Sequence, residues 1–398
     1  MTVEQREALT FRLERFRALG MGVLETANAT FLLLIAHRVF AAGPAVKGLI
    51  QSSGSFGLLL SPLIVIWAAT RGLDAGRAAS RLFAVGAVAL LVAAATPWLP
   101  VFVGGCLAAF VCVAGAAPFF AGIYEANYRA DRRGDLFSRN VMVRIAGSIL
   151  FAWGAGWLLD RHQGAWPVVM VTYAVALGVG AACLRRCPAV VVRAGAGTHP
   201  LRAFRVVGED PVFRWTLVSW MLMGFANLTM FPLRVEYLSN RRYGLDLSAE
   251  EVALLTSVIP NVARLCFTRA WGRLFDRMNF LTLRALLNTG FMLGILSFFT
   301  GGGMTGLVAG ALLFGVSNAG ADVAWTLWVT KFAPPGRVTE YMAVHTFLTG
   351  LRGVVAPFAA FYLALHAGIA TTAVVMAGMI LVASLILPRG KSRAAQGS

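Results

Sequence analysis

The sequence predicts an all-α integral membrane protein with twelve transmembrane helices in two pseudo-symmetric six-helix bundles. Three observations carry this prediction: an apolar composition, twelve apolar stretches of membrane-crossing length, and a likeness between the two halves. Of the 398 residues, 58% are hydrophobic and only 13% charged, with a mean hydropathy of +0.72. A soluble protein carries roughly 25% charged residues, because a folded globule still needs a polar skin. A soluble enzyme or soluble binding domain is therefore excluded.

The apolar stretches lie at 18–38, 47–69, 80–98, 101–124, 140–160, 165–184, 213–235, 251–269, 282–300, 304–330, 339–362 and 367–387. An apolar helix needs about 20 residues to cross the hydrocarbon core. The first is preceded by MTVEQREALTFRLERFRALG, which mixes acids with arginines and lacks the apolar core and cleavage site of a signal peptide. It contains Glu25 and Asn28; the second opens on Gln51-Ser52-Ser53 and carries Gly54 and Gly57. The third and fourth are almost wholly apolar, with Tyr124 and Glu125 at the end of the fourth, and Arg144 sits in the fifth. After the sixth comes the one long connection, 185–212, rich in Gly, Pro and Arg, which separates an N-terminal bundle (1–184) from a C-terminal one (213–398). Asn227 lies in the seventh stretch, and Asn261 and Arg264 in the eighth. The tenth holds Gly306, Gly310, Asn318, Asp322, Trp325 and Trp328, and the eleventh His345 and Arg352. Cys106, Cys112, Cys183, Cys187 and Cys266 have no metal-site spacing and read as small core residues.

Charge sets the orientation. Of the 35 Lys and Arg residues, 26 fall in segments on the side of the N-terminus, six on the other side, and three (Arg144, Arg264, Arg352) within spans. The positive-inside rule then places both termini in the cytoplasm, in the inner (cytoplasmic) membrane. The net charge of +17 and pI near 10.9 follow from this orientation and call for no nucleic-acid partner.

The halves also match internally. Ala27-Asn28-Ala29-Thr30-Phe31 corresponds to Ala226-Asn227-Leu228-Thr229-Met230, Trp67 to Trp271, and Arg133 to Arg337, all at offsets close to half the chain. Two parallel six-helix repeats form the arrangement found in one large class of secondary transporters. The segment Gly272-Arg273-Leu274-Phe275-Asp276-Arg277, between stretches eight and nine, strengthens the likeness, and here the chain resembles the major facilitator superfamily over essentially its whole length. The family pattern is kept at Gly272, Asp276 and Arg277 and lost at Asn279, Phe280 and Leu281; the first-half counterpart around Asp74 is degenerate. The resemblance implies that Asp276 and Arg277 pin neighbouring helices when the cytoplasmic side is closed. It also implies that spans 1, 4, 7 and 10 line a central cavity.

A charge near the bilayer centre costs about 2.5–3.5 kcal/mol on insertion scales and so needs a reason. Glu25 and Asp322 are the candidate proton carriers, the alternative being fixed ion pairs with Arg144, Arg264 or Arg352. Glu125 reads as a solvated helix end, and Arg264 as a side chain reaching back to the headgroups. Arg144 and Arg352 could anchor a carboxylate or phosphate or clamp a neighbouring helix. His345 could carry a proton or serve as a neutral packing group. Asn28, Gln51, Asn227, Asn261 and Asn318 could line a polar cavity or act as glue between helices. Trp325 could stack on a solute ring, whereas Trp328, Tyr124, Trp98 and Trp166 fit interfacial belts. Gly57, Gly306 and Gly310 suit close helix packing, as does Gly54.

No phosphate-cradling loop, zinc-protease motif or nucleophile elbow is present, so no enzyme and no cofactor is expected. The expected function is secondary transport of a small solute by alternating access, with protons as candidate coupling ions and a monomer as the working unit. The alternative is a membrane receptor or assembly partner that keeps the fold without transporting.

Overall fold

The computed structural model describes residues 1–129, 131–192, 204–328, 333 and 337–387, without the side chains at 163, 276, 323, 325–327 and 338–340. Among these residues the chain is helical throughout, with one isolated antiparallel bridge, Asp74 to Val191. The membrane helices are α1 (Val3–Arg38), α2 (Pro44–Thr70), α3 (Ala75–Ala95), α4 (Leu99–Asn127), α5 (Arg133–Arg161) and α6 (Trp166–Arg186). They continue with α7 (Pro211–Ser239), α8 (Ala249 to Arg277), α9 (Phe280–Thr300), α10 (Gly303–Leu327), α11 (Val338–His366) and α12 (Ile369–Leu385). Eleven helices are long and apolar enough to cross a membrane, and α12 is apolar but shorter.

The chain divides into two compact units. The first comprises Met1–Gly195 with Leu238–Val258, the second Ala196–Tyr237 with Ile259–Ser398.

In the first unit, α1 starts well before residue 18. A capping box between Thr2 and Gln5 opens it, satisfying amides that otherwise lack partners. Charges on the added turns find partners: Glu7 accepts from the Arg129 amide (3.1 Å) and from Arg132 Nη1 (3.0 Å). One π-helical turn, Ala27–Phe31, interrupts α1, and another, Leu254–Val258, interrupts α8. Thr30 Oγ1 lies 2.7 Å from Thr256 Oγ1 and 2.8 Å from Ser257 Oγ, all buried. α4 breaks at Ala116, where Pro118 lies in the first turn of its second segment and cannot donate into the preceding turn.

The second unit buries a cluster dominated by aromatic rings. Phe213 and Trp220 of α7 and Trp328 stack face to face, with centroids 5.5 Å (Phe213–Trp328) and 5.0 Å (Trp220–Trp328) apart. Close approach of α9 to α10 requires Gly310, where a Cβ would fall 2.6 Å from Phe298; Gly54, by contrast, faces open space.

Three of the four aromatic residues expected at interfacial belts are interior. Trp166 and Trp328 are buried, and the Tyr124 hydroxyl is bound to Glu14 and Arg17. Helix contacts outcompete the interface for these side chains, while Trp98 is 61% exposed as expected.

Candidate functional site

Among the described residues, each unit pairs a carboxylate with an arginine inside its apolar stretches. In the first, Arg144 of α5 approaches Glu25 of α1, Nε to Oε2 3.4 Å, with 33% and 31% of the two side chains exposed. One helical turn further along α1, Asn28 lies in the π-helical turn, a conformation often found at functional sites. Its backbone carbonyl accepts from Gln51 Nε2 of α2 at 2.8 Å, and its Oδ1 is buried without a hydrogen-bond partner among the described residues. The π turn has released a backbone carbonyl, and Gln51 satisfies it.

In the second unit, Arg264 Nε of α8 donates to Asp322 Oδ2 of α10 at 2.6 Å, and Arg264 Nη1 reaches Asn261 Oδ1 at 3.3 Å. The arginine side chain is 8% exposed, the aspartate 45%. Arg264 therefore does not reach back to the headgroups; a carboxylate on the adjacent helix is a nearer and stronger partner. Asn318 lies one turn before Asp322 on the same helix face, half-buried. Asn227, also half-buried on α7, has its Oδ1 without a hydrogen-bond partner among the described residues.

His345 and Arg352 stand apart from this pair, within the aromatic cluster. His345 is fully buried, its ring edge-on to Trp220 and Trp328 at centroid distances of 5.3 and 5.1 Å. Arg352 Nη1 donates to the Trp220 carbonyl at 2.6 Å, so it clamps a neighbouring helix. The side chain of Trp325 lies outside the described residues, as does that of Asp276. Of the gate candidates, Gly272 faces open space and Arg277 is exposed at the end of α8. Asn279 departs from the family pattern but caps α9, accepting from the Leu281 amide at 2.9 Å. Asp74 does the same for α3, accepting from the Arg77 amide at 2.9 Å. Beyond the membrane helices, a hydrogen bond from Arg337 (3.1 Å), aided by Arg205, holds the Glu209 carboxyl below the usual carboxylate range.

Asp160 is not singled out by the sequence, and Arg284, just beyond the segment between stretches eight and nine, is given no interior place. Asp160, at the end of α5, accepts from the amides of Ala249 (2.6 Å) and Glu250 (2.7 Å) and so caps α8. It lines a cavity of about 1070 Å³ in the first unit with His37, Arg38, Arg241, Asp246 and Glu251. Its place beside Arg161 at a span end looks like an ordinary loop charge. Arg284 counts in the sequence among loop cations but is fully buried in α9. The one available signal is its setting in the apolar run Phe280, Leu281, Leu283, Leu286, Leu287.

A family model described as Major Facilitator Superfamily matches residues 18–357. The chain belongs to this superfamily. No curated protein matches the sequence. Among solved structures, the nucleoside transporter NupG superposes with a TM-score of 0.77 at 15% identity, covering 95% of this chain and 98% of NupG. The xylose transporter XylE from E. coli gives 0.70 at 16% identity, covering 96% and 98%. The human organic anion transporter MFSD10 gives 0.67 at 14% identity, covering 98% and 100%. This superfamily member is a multi-pass membrane protein and a secondary transporter of small solutes, not an enzyme.

Proposed function

We propose that this transporter moves a neutral, hydroxyl-rich solute of the nucleoside or sugar class together with a proton, by alternating access. The observation that carries the reading is the Arg264–Asp322 pair, in which the cation is buried and the carboxylate is nearly half exposed. A carboxylate so placed is open to a proton. Protonation neutralises it and frees the guanidinium, so both can bind solute hydroxyls in one protonation state and each other in the second. Glu25 and Arg144 also balance in charge, each about one-third exposed. Each site thus has no net charge, which favours a neutral solute over an ion. Asn28, Gln51, Asn227, Asn261 and Asn318 supply the amides that recognise hydroxyls. The nucleoside and sugar transporters among the structural neighbours are in keeping with this class.

The 26-to-six charge imbalance supports cytoplasmic termini in the inner membrane. Gly272, Asp276 and Arg277 then lie on the cytoplasmic side, where they act as a gate, and a monomer suffices as the working unit.

Uptake of labelled uridine and xylose into proteoliposomes under an imposed pH gradient tests the coupling. Asp322→Asn should lose gradient-driven accumulation by about tenfold or more, equivalent to about 1.4 kcal/mol, while solute exchange persists. Accumulation that stays intact in both Asp322→Asn and Glu25→Gln removes the coupling assignment. Absence of any flux of either solute removes the substrate class.

A further inference from the structure

The aromatic cluster of the second unit holds positive charge that no carboxylate among the described residues pairs with. Arg284 of α9 is fully buried, and none of its three guanidinium nitrogens has a hydrogen-bond partner among the described residues. It lies over the face of Trp220, with Cζ 3.8 Å from the ring centroid. Arg352 of α11 reaches the same tryptophan, giving one nitrogen to its carbonyl while Nε stays unsatisfied. Both guanidinium groups are thus held against one tryptophan. Neither forms an ion pair with a carboxylate among the described residues. Thr349, one turn before Arg352 on the same helix face, also buries a hydroxyl without a partner.

Two uncompensated guanidinium groups in an apolar interior are strongly unfavourable. A guanidinium presents several donors in a planar fork that matches an oxyanion. With Thr349 adding a hydroxyl, the cluster offers five unsatisfied polar atoms, four of them able only to donate. A donor-rich cluster with no carboxylate paired to it among the described residues fits a phosphate-type oxyanion. Arg284 lies within about one and a half turns of the first residue of α9, so such an anion can come from free phosphate or from a lipid headgroup.

We propose that Arg284 and Arg352, over the face and carbonyl of Trp220, form an anion-binding site for a phosphate group, separate from the Arg264–Asp322 pair. The bound anion ties α7, α9 and α11 together.

Thermal unfolding of the purified full chain in an uncharged detergent tests this. Sodium phosphate is compared with gluconate at constant ionic strength, and nanodiscs of phosphatidylcholine are compared with discs containing phosphatidylglycerol. Tm should rise with the logarithm of phosphate concentration, or with phosphatidylglycerol content if the headgroup is the source. Arg284→Met and Arg352→Met should each abolish that rise. Should these variants fail to fold, equilibrium dialysis of radiolabelled phosphate against the native chain, and nanodisc melting of Arg284→Lys, decide in their place. About one phosphate bound per chain, or a weakened lipid shift in Arg284→Lys, supports the site. A native Tm indifferent to both phosphate and phosphatidylglycerol, with no phosphate retained in dialysis, overturns it. A phosphate or lipid shift that persists in Arg284→Met and Arg352→Met overturns it equally.

Discussion

Three side chains show how a charged arm can become part of a membrane helix. Arg17 Nε donates to Glu14 Oε1 at 2.8 Å, Arg17 Nη2 meets Glu14 Oε2 at 2.6 Å, and the Tyr124 hydroxyl donates to Glu14 Oε2 at 2.7 Å. Glu14 is 2% exposed, and the guanidinium lies over the Phe120 ring at 4.3 Å. A buried pair contributes little net stability over an apolar replacement, but removing one partner leaves the other charged and dry. Glu14→Ala should therefore cost about 3–5 kcal/mol, and Tyr124→Phe about 1.5–3 kcal/mol, measured as reversible unfolding in detergent. Equal, negligible losses would show that water already solvates the arm. Acids and arginines inside apolar runs are conspicuous in a sequence, and Glu25, Asp322, Arg144 and Arg264 stand out on that basis. Their pairing is not: it depends on which helix faces meet. Arg284, close to the segment between α8 and α9, reads in the sequence as a loop cation, and only packing puts it in the interior.

Among the elements, α8 has the most elaborate start. Ser248 and Glu251 form a capping box, and Asp160 adds a second carboxylate to the amides of Ala249 and Glu250. Asp160 sits at the C-terminal end of α5, where its charge opposes that helix dipole, and at the N-terminal end of α8, where its charge is favoured. Arg38 lies 3.9 Å from the same carboxylate. Loss of a helix cap costs about 0.5–2 kcal/mol. Asp160→Ala should accordingly speed hydrogen exchange at the Ala249 and Glu250 amides by roughly 2–30-fold, read by mass spectrometry on peptides covering 245–258. Unchanged exchange would show that Ser248 and Glu251 hold the turn alone. The capping box is visible in Ser-Ala-Glu-Glu as a local pattern. Asp160 is 89 residues away from Ala249, and no local pattern can announce it. The π turns at 27–31 and 254–258 were equally hidden, because one extra residue in a turn leaves an apolar run unchanged.

At the scale of the molecule, twelve apolar helices and a one-sided distribution of Lys and Arg make a topology prediction. In intact spheroplasts, protease should spare tags at either terminus and cleave a site inserted at 241–245; cleavage of either terminal tag would reverse the orientation. Membrane class, helix number and superfamily were legible because they depend on quantities summed along the chain: apolar length, charge asymmetry and a repeat at half the chain. Lipid imposes these on any sequence that crosses it, since every backbone group must be satisfied within its own helix. Which carboxylate meets which guanidinium, which tryptophan leaves the interface for the interior, and which arginine is buried among aromatic rings were decided by packing. A few degrees of helix rotation moves a long side chain from one neighbour to another without altering the hydropathy of the span that carries it.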